Sequence, residues 1–314
     1  MSELKLAVFC SHVDELAGAN GEGLVELARL VEEAGADQIV LSEHVVLAAS
    51  VEAHGPRGNP FPFRSDHTYP EPLIALAAMA GATTRVRLAT GILIVPLRPA
   101  VVLAKMAATL DVVSGGRLDL GVGAGWHRAE FLAAGADPSR STEALEDTIE
   151  ACRALWAGGP ATFDSGTVRF DDMYCHPVPI QGARLPVWFA GPATSATFRR
   201  IARLGDGWVP FGDTDSERIA RGYELMKSIA LEHGRDPDAL GIRASLPIVG
   251  SRDCAGRLEG ALEAASAYAE AGATVLQIPL HRLAQDLGDV PGVVSTAARE
   301  VHRLRSTAAR SHPR

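Results

Sequence analysis

The dipeptide Glu43-His44 stands at the end of an apolar run, GADQIVLSEHVV, and sets the first chemical expectation. An imidazole titrates at about 6.5, so beside a carboxylate at a strand tip it is suited to give or take a proton near neutrality. The alternative is a histidine whose nitrogens only bond neighbouring backbone. His127, after GAGW, and His12, after the first apolar run, are weaker candidates for the same task. His54, His67 and His176 fall in long polar excursions, where exposure is the default.

Two glycine-rich stretches offer binding chemistry. GVGAG at 121–125 contains a G-x-G but continues into Trp126, so it does not match the dinucleotide fingerprint G-x-G-x-x-G. Its small residues still allow a phosphate or a flat ring to approach backbone amides. The second stretch is PVWFAGPATS at 186–195, followed by a helical pattern through Arg203. Gly191 frees the backbone there and Thr194 or Ser195 can cap the helix. Its free amides and dipole then suit a phosphate, with a bare helix cap as the plainer reading.

Absent chemistry narrows the choice. The lysines are Lys5, Lys105 and Lys227, none at a strand tip, which argues against a Schiff-base enzyme. No H-x-H, H-E-x-x-H or carboxylate cluster occurs, so no metal is expected. G-x-S-x-G and Walker A sequences are missing too. Cys10, Cys152, Cys175 and Cys254 are scattered with no C-x-x-C. A protein without nucleophile, lysine or metal, but with small residues at its strand tips, suits an organic cofactor that carries the chemistry.

Those tips must be held by a scaffold. Strands are predicted near 4–10, 37–42, 86–94, 117–123, 186–190, 206–210, 241–249 and 274–279. Helices are predicted near 22–34, 71–82, 99–113, 141–157, 194–204, 215–233, 255–271 and 293–308. Eight β-then-α units in 314 residues predict a single (β/α)8 TIM barrel spanning 1–314, with ligands at the strand C-termini. Gly35 and Gly272, in EEAGAD and AEAGAT, read as helix-to-strand joints. Two segments exceed ordinary connections: 45–70 after the second strand, and 159–185 before the fifth. Both are read as mouth insertions, the second equally as a plain surface excursion. Residues 309–314 are expected to form a flexible tail.

At 47% hydrophobic but only 5% aromatic, the core must be built from Ala, Val, Leu and Ile. A net charge of −8 argues against nucleic acid or an anionic membrane as the main partner. The start MSELKLAVFC lacks the features of a signal peptide and no apolar run is long enough to span a bilayer. A cytoplasmic location with reduced cysteines is therefore expected.

With these blocks in view, the chain resembles the bacterial luciferase-like superfamily of flavin and deazaflavin oxidoreductases. The resemblance rests on GADQIVLSEHVV, on YPEPLIALAAMAGATTRVRLATGILIVPLRPAVVLAKMAATLDVVSGGRLDLGVGAGWHRAEF, and on PVWFAGPATSATFRRIARLGDGWVP. It covers about a third of the residues, in the family's order, and is nearest to the branch that uses coenzyme F420. It implies a TIM barrel, usually a homodimer, holding an isoalloxazine-like ring at the strand C-termini. It implies a non-prolyl cis peptide between Gly91 and Ile92, forming a bulge behind the ring. Phosphate contacts carry over to Ala190, Gly191 and Pro192, with Gly125 and Trp126 beside them. The strand-two histidine of deazaflavin dehydrogenases matches His44, and the acidic residue before it matches Glu43.

The chain departs from the family twice. Some deazaflavin dehydrogenases place a catalytic Glu directly after the fourth-strand glycines, where this chain has Trp126. The fifth-strand turn reads AGP, where many relatives have GG. The expected activity is hydride transfer between coenzyme F420 and a small organic substrate, with His44 moving the proton. An FMN-dependent monooxygenase using reduced flavin and oxygen is the alternative, and a non-catalytic flavin-binding protein a second one.

Overall fold

The computed structural model describes residues 3–11, 13–18, 21–51, 64–211, 215–248 and 253–311. Its strands are β1 (Lys5–Phe9), β2 (Gln38–Leu41), β3 (Arg87–Thr90), β4 (Leu93–Ile94), β5 (Leu118–Gly123), β6 (Ala161–Asp164), β7 (Arg169–Met173), β8 (Val187–Gly191), β9 (Gly207–Pro210), β10 (Gly241–Ser245) and β11 (Val275–Pro279). Its helices are α1 (Val13–Ala17), α2 (Gly21–Glu33), α3 (Pro72–Ala82), α4 (Ala100–Val113), α5 (Arg128–Ala133) and α6 (Ser141–Leu155), followed by α7 (Ser195–Leu204), α8 (Ser216–Glu232), α9 (Cys254–Glu263), α10 (Ala265–Glu270) and α11 (Val290–Ser311).

The large sheet runs β3-β2-β1-β11-β10-β9-β8-β5, and a β3–β5 pairing closes it. Every pairing around the ring is parallel. With β3 and β4 as two halves of the third strand, this is the expected (β/α)8 barrel. Strand alternation explains why the sequence makes it. Leu6, Val8, Ile39, Leu41, Leu120, Val122, Leu276 and Ile278 are buried beneath the helices. Ala7, Val40, Ala89 and Val275 form a separate cluster inside the ring, with Phe9 and Trp188 packed against it. Trp188 is the space-filler: a Cβ at Gly207 or Gly241 would meet its ring at 2.3 Å.

The third strand is not continuous as the 86–94 run suggested. It stops at Thr90, passes through a cis Gly91–Ile92 peptide, and resumes at Leu93. The predicted helix 255–271 is likewise two helices, α9 and α10, and α11 continues as helix to Ser311, into the expected tail. Residues 312–314 lie outside the described residues, as does 52–63 of the 45–70 insertion.

Segment 159–185 packs along the outside of α6 and returns beneath the strands. It forms an antiparallel hairpin, β6–β7, against α6. Asp147 of α6 accepts from Ser165 Oγ at 2.7 Å and from Thr167 N and Oγ1 at 3.0 and 2.7 Å. The return stretch then passes under the N-terminal ends of the strands. Gln181 bonds Asp111 through its backbone N (3.0 Å) and Nε2 (2.8 Å), and the Leu118 carbonyl through Nε2 (2.8 Å). These partners fix the return stretch around Gln181 at the end opposite the mouth, whereas the hairpin tip is held at the start of α6, where Arg140 Nη2 donates to the Gly166 carbonyl at 2.7 Å.

Candidate active site

A parallel barrel presents its C-terminal strand ends as a concave face. Inward residues near the N-terminal half, among them Ala7, Asp119, Arg243 and Val275, are buried. Nearer the mouth, Phe9, Gly91, Ile92, Ala190, Val209 and Pro279 are half-buried, and Ser245 is exposed. Among the described residues the barrel is thus filled at its floor and more accessible above it.

The GVGAG glycines turn out to serve the bulge that forms this floor. A Cβ on Gly121 would lie 2.0 Å from the Thr90 carbonyl oxygen, and one on Gly123 would lie 2.8 Å from Ile92 Cδ1. Gly125 adopts φ +75°, and a Cβ there would meet Ile94 and Phe131 at 2.6 and 2.8 Å. The bulge passes so close over β5 that only glycine fits beneath it. Gly91 itself has no room for a Cβ, which would lie 2.4 Å from Val40 Cγ1, and its N–H donates to the Leu41 carbonyl at 2.7 Å.

Glu43 and His44, adjacent in sequence, do different things. Glu43 is buried, and its Oε2 accepts from Ile94 N at 2.6 Å and from Arg98 Nη1 at 3.0 Å. Arg98 Nη2 bonds Glu43 Oε1 and also Glu71 Oε1, the latter at 2.7 Å. Glu71 in turn caps α3 by accepting from Ile74 N at 2.7 Å. Burial pushes the Glu43 pKa up, against the opposing pull of Arg98 and Ile94 N–H. Both carboxylate oxygens are therefore engaged in joining β2, the bulge and α3.

His44 turns the other way. Its Nδ1 lies 2.9 Å from Glu130 Oε2, and Glu130 is buried. Glu130 Oε1 accepts from Val45 N at 2.5 Å and from Val46 N at 3.4 Å. This carboxylate, from α5, was not singled out in the sequence. With Glu130 accepting two backbone N–H groups through Oε1, an imidazole that donates from Nδ1 to Oε2 carries its lone pair on Nε2. Tyr69 and Trp126 meet the imidazole edge-on, with centroids 5.2 and 5.8 Å away. The Tyr69 hydroxyl pKa is pushed up by burial and by the Glu130 charge, so it remains protonated. His67 stands edge-on to Tyr69 at 4.7 Å.

His127 has a fixed structural contact: its Nε2 accepts from Ala48 N at 3.2 Å, tying α5 to the start of the 45–70 insertion. Burial lowers its pKa. A histidine held neutral in the fold contributes stability that is complete above its unfolded pKa and is lost as pH falls through that value toward the folded one. Below about pH 6.5 the unfolded chain binds the proton more readily, so the slope of stability against pH is positive there. A melting series from pH 7.5 to 5 should show this loss, and His127→Gln, which keeps an acceptor but cannot titrate, should flatten it. An unchanged slope in the variant would remove His127 from the account.

His176 lies in the stretch that follows β7, its carbonyl accepting from Lys105 Nζ. His12 and His54 fall outside the described residues. Among the described residues no three His, Cys, Asp or Glu side chains gather as a metal site, and no helix is long and apolar enough to cross a membrane.

The fifth-strand turn leads from β8 into α7. Trp208 Nε1 donates to the Gly191 carbonyl at 2.8 Å, which pins the turn. Pro192, Ala193 and Thr194 are exposed at its crest. Thr194 caps α7, its Oγ1 accepting from Thr197 N at 3.3 Å. The amides of Ser195 and Ala196 are in the first turn, where no intrahelical acceptor exists. A Cβ on Gly191 would approach Thr197 to 3.2 Å. Ala190, Gly191, Pro192, Thr194 and Ser195 are thus brought together at one edge of the mouth.

The family model for luciferase-like monooxygenases matches residues 4–309. An uncharacterized protein of Mycobacterium tuberculosis is 33% identical over 212 residues, covering 67% of this chain and 74% of its own length. The coenzyme F420-dependent tetrahydromethanopterin reductase of Methanopyrus kandleri superposes with TM-score 0.69 at 15% identity, covering 96% of this chain and 99% of that one. The oxygenating constituent of 3,6-diketocamphane monooxygenase of Pseudomonas putida, a type II Baeyer-Villiger monooxygenase solved with FMN, also superposes with TM-score 0.69. Its identity is 14%, with 96% of this chain and 98% of that one covered. At such identities the two likenesses speak to the fold alone.

Proposed function

Because this chain belongs to the luciferase-like monooxygenase family, whose members are oxidoreductases, we propose that its barrel mouth binds coenzyme F420 and transfers hydride between that cofactor and a small organic substrate. The observation that carries this reading is the juxtaposition of a backbone bulge, a capped helix N-terminus and a histidine–carboxylate pair around one open mouth. The bulge at Gly91–Ile92 would support the flat ring. The turn Ala190–Pro192 and the amides of Ser195 and Ala196 would take the phosphate, and Gly125 and Trp126 would line the mouth between them. The deazaflavin, when bound, supplies the hydride-carrying carbon.

The protein's part is binding, orientation and proton movement. Glu130 holds Nδ1 of His44, so exchange with the substrate falls to His44 Nε2. Tyr69 and Trp126 restrict the imidazole to one orientation and shield it from water. Glu43 is assigned here to hold the bulge through Ile94 N and Arg98, and the carboxylate that works with His44 is Glu130. Oxidation of an alcohol-like group would deliver its proton to the Nε2 lone pair and leave an imidazolium beside Glu130, and reduction of a carbonyl-like group would start from that imidazolium and draw the Nε2 proton.

The family includes FMN enzymes, and the P. putida fold matches as well as the M. kandleri one. Titrating purified protein separately with coenzyme F420 and with oxidised and reduced FMN decides between them. Binding of F420 at least about tenfold tighter than either FMN form, a difference of about 1.4 kcal/mol, is expected. Preference for reduced FMN, with oxygen consumption, would move the protein to the monooxygenase reading.

A further inference from the structure

Two guanidiniums, Arg243 and Arg87, lie under the mouth with Asp119, and the buried Asp111 acts on Arg87 from below. Arg243, on β10, is 2% exposed. Its Nη2 donates to the Thr90 carbonyl at 2.8 Å and its Nη1 to Gln38 Oε1 at 3.2 Å, while its buried Nε has no acceptor. Gln38 Nε2 donates to Asp119 Oδ2 at 2.6 Å. That carboxylate is already gripped by Arg87, Nε to Oδ2 at 2.7 Å and Nη2 to Oδ1 at 2.6 Å. Among the described residues Arg243 therefore has no carboxylate bonded to it directly, Asp119 reaching it only through Gln38. The charge that acts on Arg243 is that of Asp119, and the glycines beside its Nη2 are Gly91 and Gly121. Lys5, at the far end of β1, is exposed to water.

A guanidinium out of water without its own carboxylate is costly unless other charge or dipoles compensate. Burial lowers the Arg243 pKa to about 10, still far above neutrality, so the charge persists. Its position shows where compensation is available. Nη2 would lie 3.6 Å from a Cβ on Gly91 and 2.8 Å from one on Gly121. The guanidinium is thus lodged directly behind the Thr90–Gly91–Ile92 bulge, and Gly91 and Ile92 are half-exposed to the mouth.

We propose that Arg243 is the cation that favours the ionised form of a ring bound on the bulge above it, so that this site selects an anionic over a neutral redox ring. The inference rests on the cofactor reading above. The deazaflavin ring has an ionisable hydroxyl, and a buried charge acting through a low-dielectric floor shifts such a group far more than one in water does.

The test is a pH titration of oxidised coenzyme F420, free and bound, followed by its absorbance. In the wild-type protein the ring should ionise at least about one pH unit lower than in solution, a tenfold change in its ionisation constant. Arg243→Met should return it toward the solution value, and Arg243→Lys should keep most of the shift. Asp119→Asn, which removes the carboxylate that acts on Arg243 and leaves Arg243 in place, should move it further down; this variant decides the matter if Arg243→Met does not fold. A merely structural Arg243 would weaken binding in the variants but leave the ionisation of whatever ring binds unmoved, and that result overturns the proposal. Failure of the wild-type protein to bind F420 at all overturns the cofactor reading, and this inference with it. Binding with an unshifted wild-type ionisation overturns the inference alone.

Discussion

Replacing His44 with alanine is expected to lower kcat by about 100- to 10,000-fold, the range that a positioned proton donor or acceptor contributes. The dissociation constant of coenzyme F420 should stay within about twofold, because the loss falls on a group used in the chemical step. The reason is local. Nδ1 is bound to Glu130 at 2.9 Å, and Tyr69 and Trp126 fix the ring from two edges. A companion variant, Glu130→Gln, keeps the shape of the pair but removes the charge that selects the tautomer. It should lose at least about tenfold in kcat, since a correctly shaped but wrongly protonated pair is a poor catalyst. Steady-state kinetics with parallel cofactor binding checks both. Should His44→Ala lose cofactor affinity and kcat in equal measure, the imidazole is scaffold and the proton comes from elsewhere.

What the sequence could and could not disclose follows from the range of the interactions involved. The eight strands were legible because alternation along each strand is local: Leu6 and Val8 face the helices while Ala7 and Phe9 face inward. Strand-end histidines stand out for the same reason. Glu130 did not, because its partner lies 86 residues earlier and α5 has only six residues, too short for a periodic signal. The spacing His127-Arg128-Ala129-Glu130 was the available hint, since residues three apart share a helix face. The β6–β7 hairpin was also within reach. Asp164-Ser165-Gly166 sits between two short runs containing Phe163 and Phe170, which stack across the strands at 6.0 Å. The GVGAG glycines were noticed but read as openings for a ligand. Their requirement comes from Thr90, Ile92 and Ile94 crossing over them, a contact that no local pattern contains.

The pairing of Glu43 with Arg98 carries the other large expected effect. Arg98→Ala should destabilise the fold by about 3–5 kcal/mol, because it leaves a carboxylate buried without its cation. Glu71 would lose the same partner, and with it part of the tie between α3 and the bulge. Glu43→Gln should cost less, about 1–3 kcal/mol, since the amide still offers an oxygen to Ile94 N and removes the buried negative charge. The double variant Arg98→Ala/Glu43→Gln should recover part of the Arg98→Ala loss, a coupling of about 1 kcal/mol or more. Denaturant unfolding of the four proteins measures it. The catalytic consequence separates the two neighbours at the strand tip. With Glu43 acting only through the position of the bulge, Glu43→Gln should retain kcat within about tenfold at a temperature well below its melting point. A loss comparable to that of His44→Ala in a stably folded Glu43→Gln would make Glu43 the catalytic acid after all, and Arg98 the residue that tunes it.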